Sequence, residues 1–276
     1  CKLFKLPLLR GIAGLIDSMR LSYKSLMLSA DKAVEAGEVE EEEPSKFEKW
    51  LDEKFGDKLV KVVMVFASIL GVALAVGLFF YLPSFLFDLT ANVVPVFQGD
   101  GESAVFWKSV FEGVLKIALF LGYIVLCSQM TEMKRVFMYH GAEHKTIFCY
   151  ENEEELTVEN VRKQIRFHPR CGTSFMVLML IVGIVIGLFI PVAPFGIGFL
   201  RPVFKILLLP VSCGIGYELI KICGKHDNAF TRVIAAPGLW AQRITTKEPD
   251  DKMIEVAIEA MKAVIPDDGT DIINNK

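Results

Sequence analysis

The sequence predicts an all-α, polytopic membrane protein with four transmembrane helices, an N-terminal amphipathic helix and a histidine-bearing cytoplasmic-face segment. Three observations carry this reading. Hydrophobic residues make up 53% of the 276 residues, and the excess is gathered into long runs instead of being spread along amphipathic elements. Basic residues cluster beside alternate ends of those runs. Three of the 4 histidines fall in one polar stretch between the second and third runs. The charge balance, 30 Lys+Arg against 33 Asp+Glu, gives −3 and carries no basic signature for nucleic acid, so no nucleic-acid partner is expected. The 6 cysteines, in a chain of this length, do not read as a disulfide scaffold.

Taken in order, residues 1–30 form an amphipathic or membrane-associated helix. Arg10, Asp17, Arg20 and Lys24 recur at helical spacing, and Leu8, Leu9, Ile12, Leu15, Ile16 and Met19 form the apolar side. That helix is too charged to span a bilayer; it lies on the interface or packs against the protein's own helices. Residues 31–61 are an acidic linker and pre-membrane helix, with the run Glu40 to Glu43 before Pro44 reading as solvated chain. Residues 62–130 hold the first two spans and an extracytoplasmic loop. The first, Val62 to Leu82, is free of charge and stops before Pro83; the second, Val110 to Met130, carries Glu112 and Lys116 at i,i+4. Residues 174–223 hold the other two, Ser174 to Ile190 and Val203 to Cys223, the latter with Pro210 as a kink and Glu218 near its far end. Residues 224–276 are a C-terminal tail, with loop and short turns through TRVIAAPGLWAQRITTKEPDD and an amphipathic helix from about Pro249 to Val264.

Topology follows from the basic residues near the span ends. Lys46, Lys49, Lys54, Lys58 and Lys61 precede the first span, and seven Lys and Arg from Lys134 to Arg170 lie between the second and third. The other two loops offer only Lys108 and Arg201. The positive-inside rule then puts the N-terminus, the 131–173 segment and the C-terminus in the cytoplasm. Membrane lipid is the expected surroundings.

Chemistry concentrates in residues 131–173. In FMYHGAEHKTIFCYE, His140, Glu143 and His144 stand at i, i+3 and i+4, which on a helix places two imidazoles on one face with a carboxylate beside them. Such a pair chelates Zn²⁺, and the H-x-x-E-H order matches the inverted zincin pattern, in which the carboxylate is a general base. A structural hydrogen-bonding pair is the alternative. RFHPRCGTSF adds His168 and Cys171 at a turn set by Pro169 and Gly172. His140, His144, His168 and Cys171 together would close a structural metal site; three of them would leave a position for water. Otherwise His168 caps a helix and Cys171 is packed, or Cys171 is a nucleophile with His168 as base. Glu218 is a further site residue or the ion-pair partner of Arg170, Arg166 or Lys221.

The blocks MYHGAEHKTIFCYE, ELTVENVRKQIRFHPRCGTSF, GIGYELIK and PGLWAQRITTKEPDDKMIEVAIEAMKAV resemble the DUF1385, or YqhQ-like, family of bacterial membrane proteins. The resemblance runs from PLLRGIAGLIDSM to the C-terminal helix. It implies a multi-pass protein of the bacterial inner membrane and a metal-dependent enzyme. The family begins with a glycine-rich stretch that is absent here, so residue 1 is expected to lie inside a longer natural sequence. Two functions are then in view. One is a hydrolase at the cytoplasmic membrane face with Glu143 as base. The other is a zinc-stabilised factor that binds a partner membrane protein in membrane-protein biogenesis. A transporter would need a homo-oligomer to line a path.

Overall fold

Helices follow the apolar runs, but local chemistry extends or bends most of them. A computed structural model describes residues 6–36, 62–63, 65–99, 101–226 and 228–266. The acidic run Glu40 to Glu43, the five lysines before the first span, and Asp100 lie outside the described residues. The helices are α1 (Leu9–Glu35), α2 (Val65–Ala91), α3 (Glu102–Cys127), α4 (Thr131–Glu151), α5 (Val158–Lys163), α6 (Gly172–Gly187), α7 (Leu200–Leu207), α8 (Leu209–Lys225), α9 (Ala229–Thr245) and α10 (Asp251–Lys262). All regular structure among the described residues is helical.

α2 and α3 are each long and apolar enough to cross a membrane, and α7 with α8, bent by 45°, make a third candidate. The bend falls where Pro210 enters the first turn of α8. α6 is apolar but has 16 residues, or about 24 Å at 1.5 Å per residue, short of a hydrocarbon core of about 30 Å. The fold is therefore all-α with two to three candidate spans. α2 does not stop at Pro83. Its Gly77–Tyr81 stretch is a π turn in which the Leu82 N–H reaches the Gly77 carbonyl, and the widened turn absorbs the proline.

The ends of α6 are fixed by buried polar groups. Arg201, fully buried, donates to the carbonyls of Gly187 (3.1 Å), Pro191 (2.7 Å) and Ile190 and to the Ser109 hydroxyl (2.8 Å). A cation there satisfies carbonyls that the helix C-terminus leaves free. Lys108 is likewise buried, in α3, and bonds Asp88 at 2.5 Å. Both residues read from sequence as loop charges; the structure packs them inside.

α6 lies at the centre, against α3, α8 and α9. α9 corrects the expectation of loop and turns after residue 230. Asn228 and Thr231 form a reciprocal capping box that starts the helix, and Pro237 is accommodated inside it. Gly238 is needed for contact: a β-carbon there would lie 2.6 Å from the Ser174 side chain on α6. A separate unit packs α5 and α10 on α4 around Ala142, Cys149, Val161, Met253, Ile254 and Ile258. The first turns of α1 dock on α8, whereas Ile16 to Ser29 are exposed throughout.

Candidate metal centre

α4 is helical through the H-x-x-E-H stretch, so His140 and His144 lie one turn apart, edge to face, with ring centroids at 4.4 Å. Cys171 arrives from the loop after α5 as the N-cap of α6, where its Sγ accepts from the Thr173 N–H at 3.4 Å. One ligand atom from each of His140, His144 and Cys171 lies within 4.8 Å of the others. His140 Nε2 is 3.2 Å from the sulfur.

Both imidazoles are oriented by backbone carbonyls. His140 Nδ1 donates to Thr245 O at 2.8 Å, and His144 Nδ1 donates to Arg166 O at 2.6 Å. Those bonds occupy Nδ1 of each ring and leave Nε2 free to carry the lone pair when the imidazole is neutral and ligating, or the proton when it pairs with the thiolate. This is the outer support that metal-binding histidines usually have. Gly141 lets the Thr245–Lys247 segment come this close. A β-carbon on it would overlap the Lys247 carbonyl oxygen, while the Lys247 N–H donates to Phe137 O at 2.8 Å.

The electrostatics match the geometry. Burial works against the Cys171 thiolate, but hydrogen bonds from His140 and His144 outweigh it and bring the thiol down to about 5; the helix N-terminus acts in the same direction. Burial opposes protonation of His140, yet its bond to the Cys171 sulfur and the field of that sulfur raise its pKa, with smaller help from Thr245 O and Glu143. A soft anion and two nitrogen donors at one point are a donor set that zinc-type ions accept.

The other residues singled out from sequence are placed differently. His168 lies beside the cluster, its ring centroid 5.8 Å from that of His144. Its Nδ1 accepts from the Arg170 N–H at 3.2 Å and its Nε2 faces Glu151 Oε2 at 3.3 Å, so both nitrogens are engaged elsewhere. The His168 hydrogen bond, then the Arg170 charge, hold Glu151 below the usual carboxylate range against its partial burial. Glu143 is exposed on the rim, between the two histidines in sequence. Glu218 is remote: it makes a two-pronged ion pair with Arg10 of α1, with Arg10 Nε to Oε1 at 2.6 Å.

Sequence reasoning missed the residues that hold the site together. Gln242 of α9, fully buried, accepts from the His168 N–H at 2.8 Å and donates to His168 O and Ser174 Oγ, each at 2.7 Å. It clamps the HPRCG turn and so aims Cys171. Glu248 bonds Lys145 and Arg166, the latter at 2.9 Å, and ties the 246–250 segment to the loop that supplies the Arg166 carbonyl. The only signal available was a glutamine among apolar residues in GLWAQRIT.

Residues 6–267 match the family described as "Protein of unknown function (DUF1385)". The curated "Uncharacterized protein YqhQ" of Bacillus subtilis (strain 168) is 35% identical over 263 residues, which cover 95% of this chain and 77% of the relative. No solved structure matches. The match over nearly its whole length shows that the chain belongs to the DUF1385 family.

Proposed function

We propose that the protein is a metal-dependent hydrolase of the bacterial inner membrane, built on a three-ligand zinc site of His140, His144 and Cys171. The observation that carries this is the convergence of two imidazoles and one thiolate within 4.8 Å, with a carbonyl behind each ring. Because both His168 nitrogens are engaged with Glu151 and Arg170, the set has three protein ligands, the number typical of catalytic zinc sites. A bound Zn²⁺ would supply Lewis acidity and bring the pKa of a coordinated water toward neutrality. Glu143, exposed on the rim, is the base that receives a proton from the attacking water. The substrate is a peptide or a lipid-linked molecule that reaches the site along the membrane face.

The reading includes four spans, with α6 as a short one, and both termini in the cytoplasm. The burial of Lys108 and Arg201 supports it, because it leaves the two outer loops with fewer exposed cations. Cysteine labelling at Gln98 and Asn152 tests it: the first should react from outside and the second only after permeabilisation.

The second reading is a zinc-stabilised factor that binds a partner membrane protein. It is favoured by the way the site joins α4, the 164–171 loop and the end of α9, so that metal would tie three segments of the fold together. Glu143→Gln separates the readings when metal content and complementation of a gene deletion are measured in parallel. Full metal with lost complementation fits the hydrolase; full metal with full complementation removes the catalytic role and leaves the factor.

A further inference from the structure

A second cluster of charge lies in the apolar layer, away from the histidines. Glu112 of α3, almost fully buried, bonds the Lys205 ammonium and lies 3.6 Å from Arg201 Nε, while its Oε1 has no hydrogen-bond partner among the described residues. Lys108 and Asp88 pair beside it. Lys116, one turn along α3 from Glu112, has no carboxylate within ion-pair distance among the described residues. Its ammonium sits 4.5 Å from the centroid of the Phe80 ring. Among the described residues, these four cations against two carboxylates leave two positive charges in a layer where ionisable groups pair or line a path.

Two of these cations, Lys116 and Lys205, border a cavity of about 400 Å³ between α2, α3, α6, α7 and α8. Phe79, Phe120, Met179 and Ile184 belong to its apolar lining, and Lys116 and Lys205 give it positive charge. One wall is α2, whose outer face, including Phe66 and Ile69, is exposed where acyl chains would lie. The cavity falls in the lower part of the range for ligand sites, a size that suits one hydrocarbon chain better than two.

We propose that this cavity binds a single-chain anionic amphiphile of the membrane, its chain among the apolar residues and its carboxylate paired with Lys116 and Lys205. Charge complementarity selects this occupant. An uncharged lipid would leave Lys116 unpaired, and a small soluble anion would leave the apolar walls unfilled.

The test uses the full chain in phosphatidylcholine nanodiscs and three probes: oleate, oleyl alcohol and acetate. Native mass spectrometry should count one oleate per chain, bound about ten-fold more tightly than oleyl alcohol, as one charge-assisted contact implies. Acetate should not compete. Lys116→Gln should abolish the preference for oleate without weakening the alcohol, and Lys116→Arg should keep the preference. Ala75→Trp, which fills the cavity from α2, should block both probes while circular dichroism stays that of the parent. Equal binding of oleate and oleyl alcohol to the parent, or displacement of oleate by acetate, would overturn the proposal. So would disulfide-linked dimers through Phe79→Cys that form in preference to oleate binding, because a second copy would then occupy the cavity.

Discussion

Replacing Gly141 by alanine should damage the metal centre without touching a ligand. Alanine gains about 1 kcal/mol of helix propensity over glycine. Against this, its β-carbon meets the Lys247 carbonyl, and overpacking of that kind costs about 1–3 kcal/mol. The backbone shift that relieves the overlap also stretches the Lys247 N–H to Phe137 O bond, now 2.8 Å, a further loss of about 1 kcal/mol. The net expectation is a destabilisation of about 1–3 kcal/mol. Thr245, two residues earlier, holds His140 Nδ1, so metal affinity should fall by about 10–100-fold, the usual effect of losing an outer-shell partner. Thermal unfolding and competitive chelator titration of the same detergent preparation read both quantities. Gly14→Ala is the control, because nothing lies within 4 Å of a β-carbon there, and it should be neutral or stabilising. If Gly141→Ala bound metal as tightly as the parent, the approach of residues 245–247 would not be what positions His140.

Other consequences follow from the same contacts. Gln242→Ala strands the His168 N–H and carbonyl and the Ser174 hydroxyl, which should cost about 2–4 kcal/mol; an unchanged unfolding midpoint would show the clamp to be dispensable. In metal-free protein, the ultraviolet absorbance of the Cys171 thiolate should titrate at about 5 and vanish in Cys171→Ser; a midpoint at the ordinary thiol value of about 8.5 would contradict the pairing with His140 and His144. Stability carries the matching sign. The folded value of Cys171 is depressed, so its contribution is full above about 8.5 and is lost as pH falls toward the folded value. His140 is raised, so its contribution is full below about 6.5 and is lost as pH rises through its folded value.

The legible part of this protein was written in local spacing. Helical spacing alone puts His140 and His144 on one face, and Pro169 with Gly172 marks the turn that delivers Cys171. The illegible part was long-range or came from the backbone. Thr245 and Arg166 act through their carbonyls, and a carbonyl has no residue signature. Gln242 lies 74 residues from His168, and Arg10 lies 208 from Glu218, so neither pairing is visible in a local window. Two prolines lie inside helices where the sequence reads otherwise: the first span is expected to stop before Pro83, and the stretch that holds Pro237 to be loop and short turns, yet a π turn absorbs the first and α9 encloses the second. Lys108 and Arg201 read as loop charges because sequence does not show that Asp88 and the free carbonyls at the end of α6 receive them.

The central claim is that His140, His144 and Cys171 are the ligands and His168 is not. Elemental analysis of protein purified without added metal tests it most directly, with His140→Ala, His144→Ala, Cys171→Ser and His168→Ala prepared side by side. The account predicts about one zinc-type ion per chain in the parent and in His168→Ala. It predicts loss of that ion in the other three variants. Parent-level metal in His140→Ala and His144→Ala would contradict it and leave the two imidazoles as packed, hydrogen-bonded side chains.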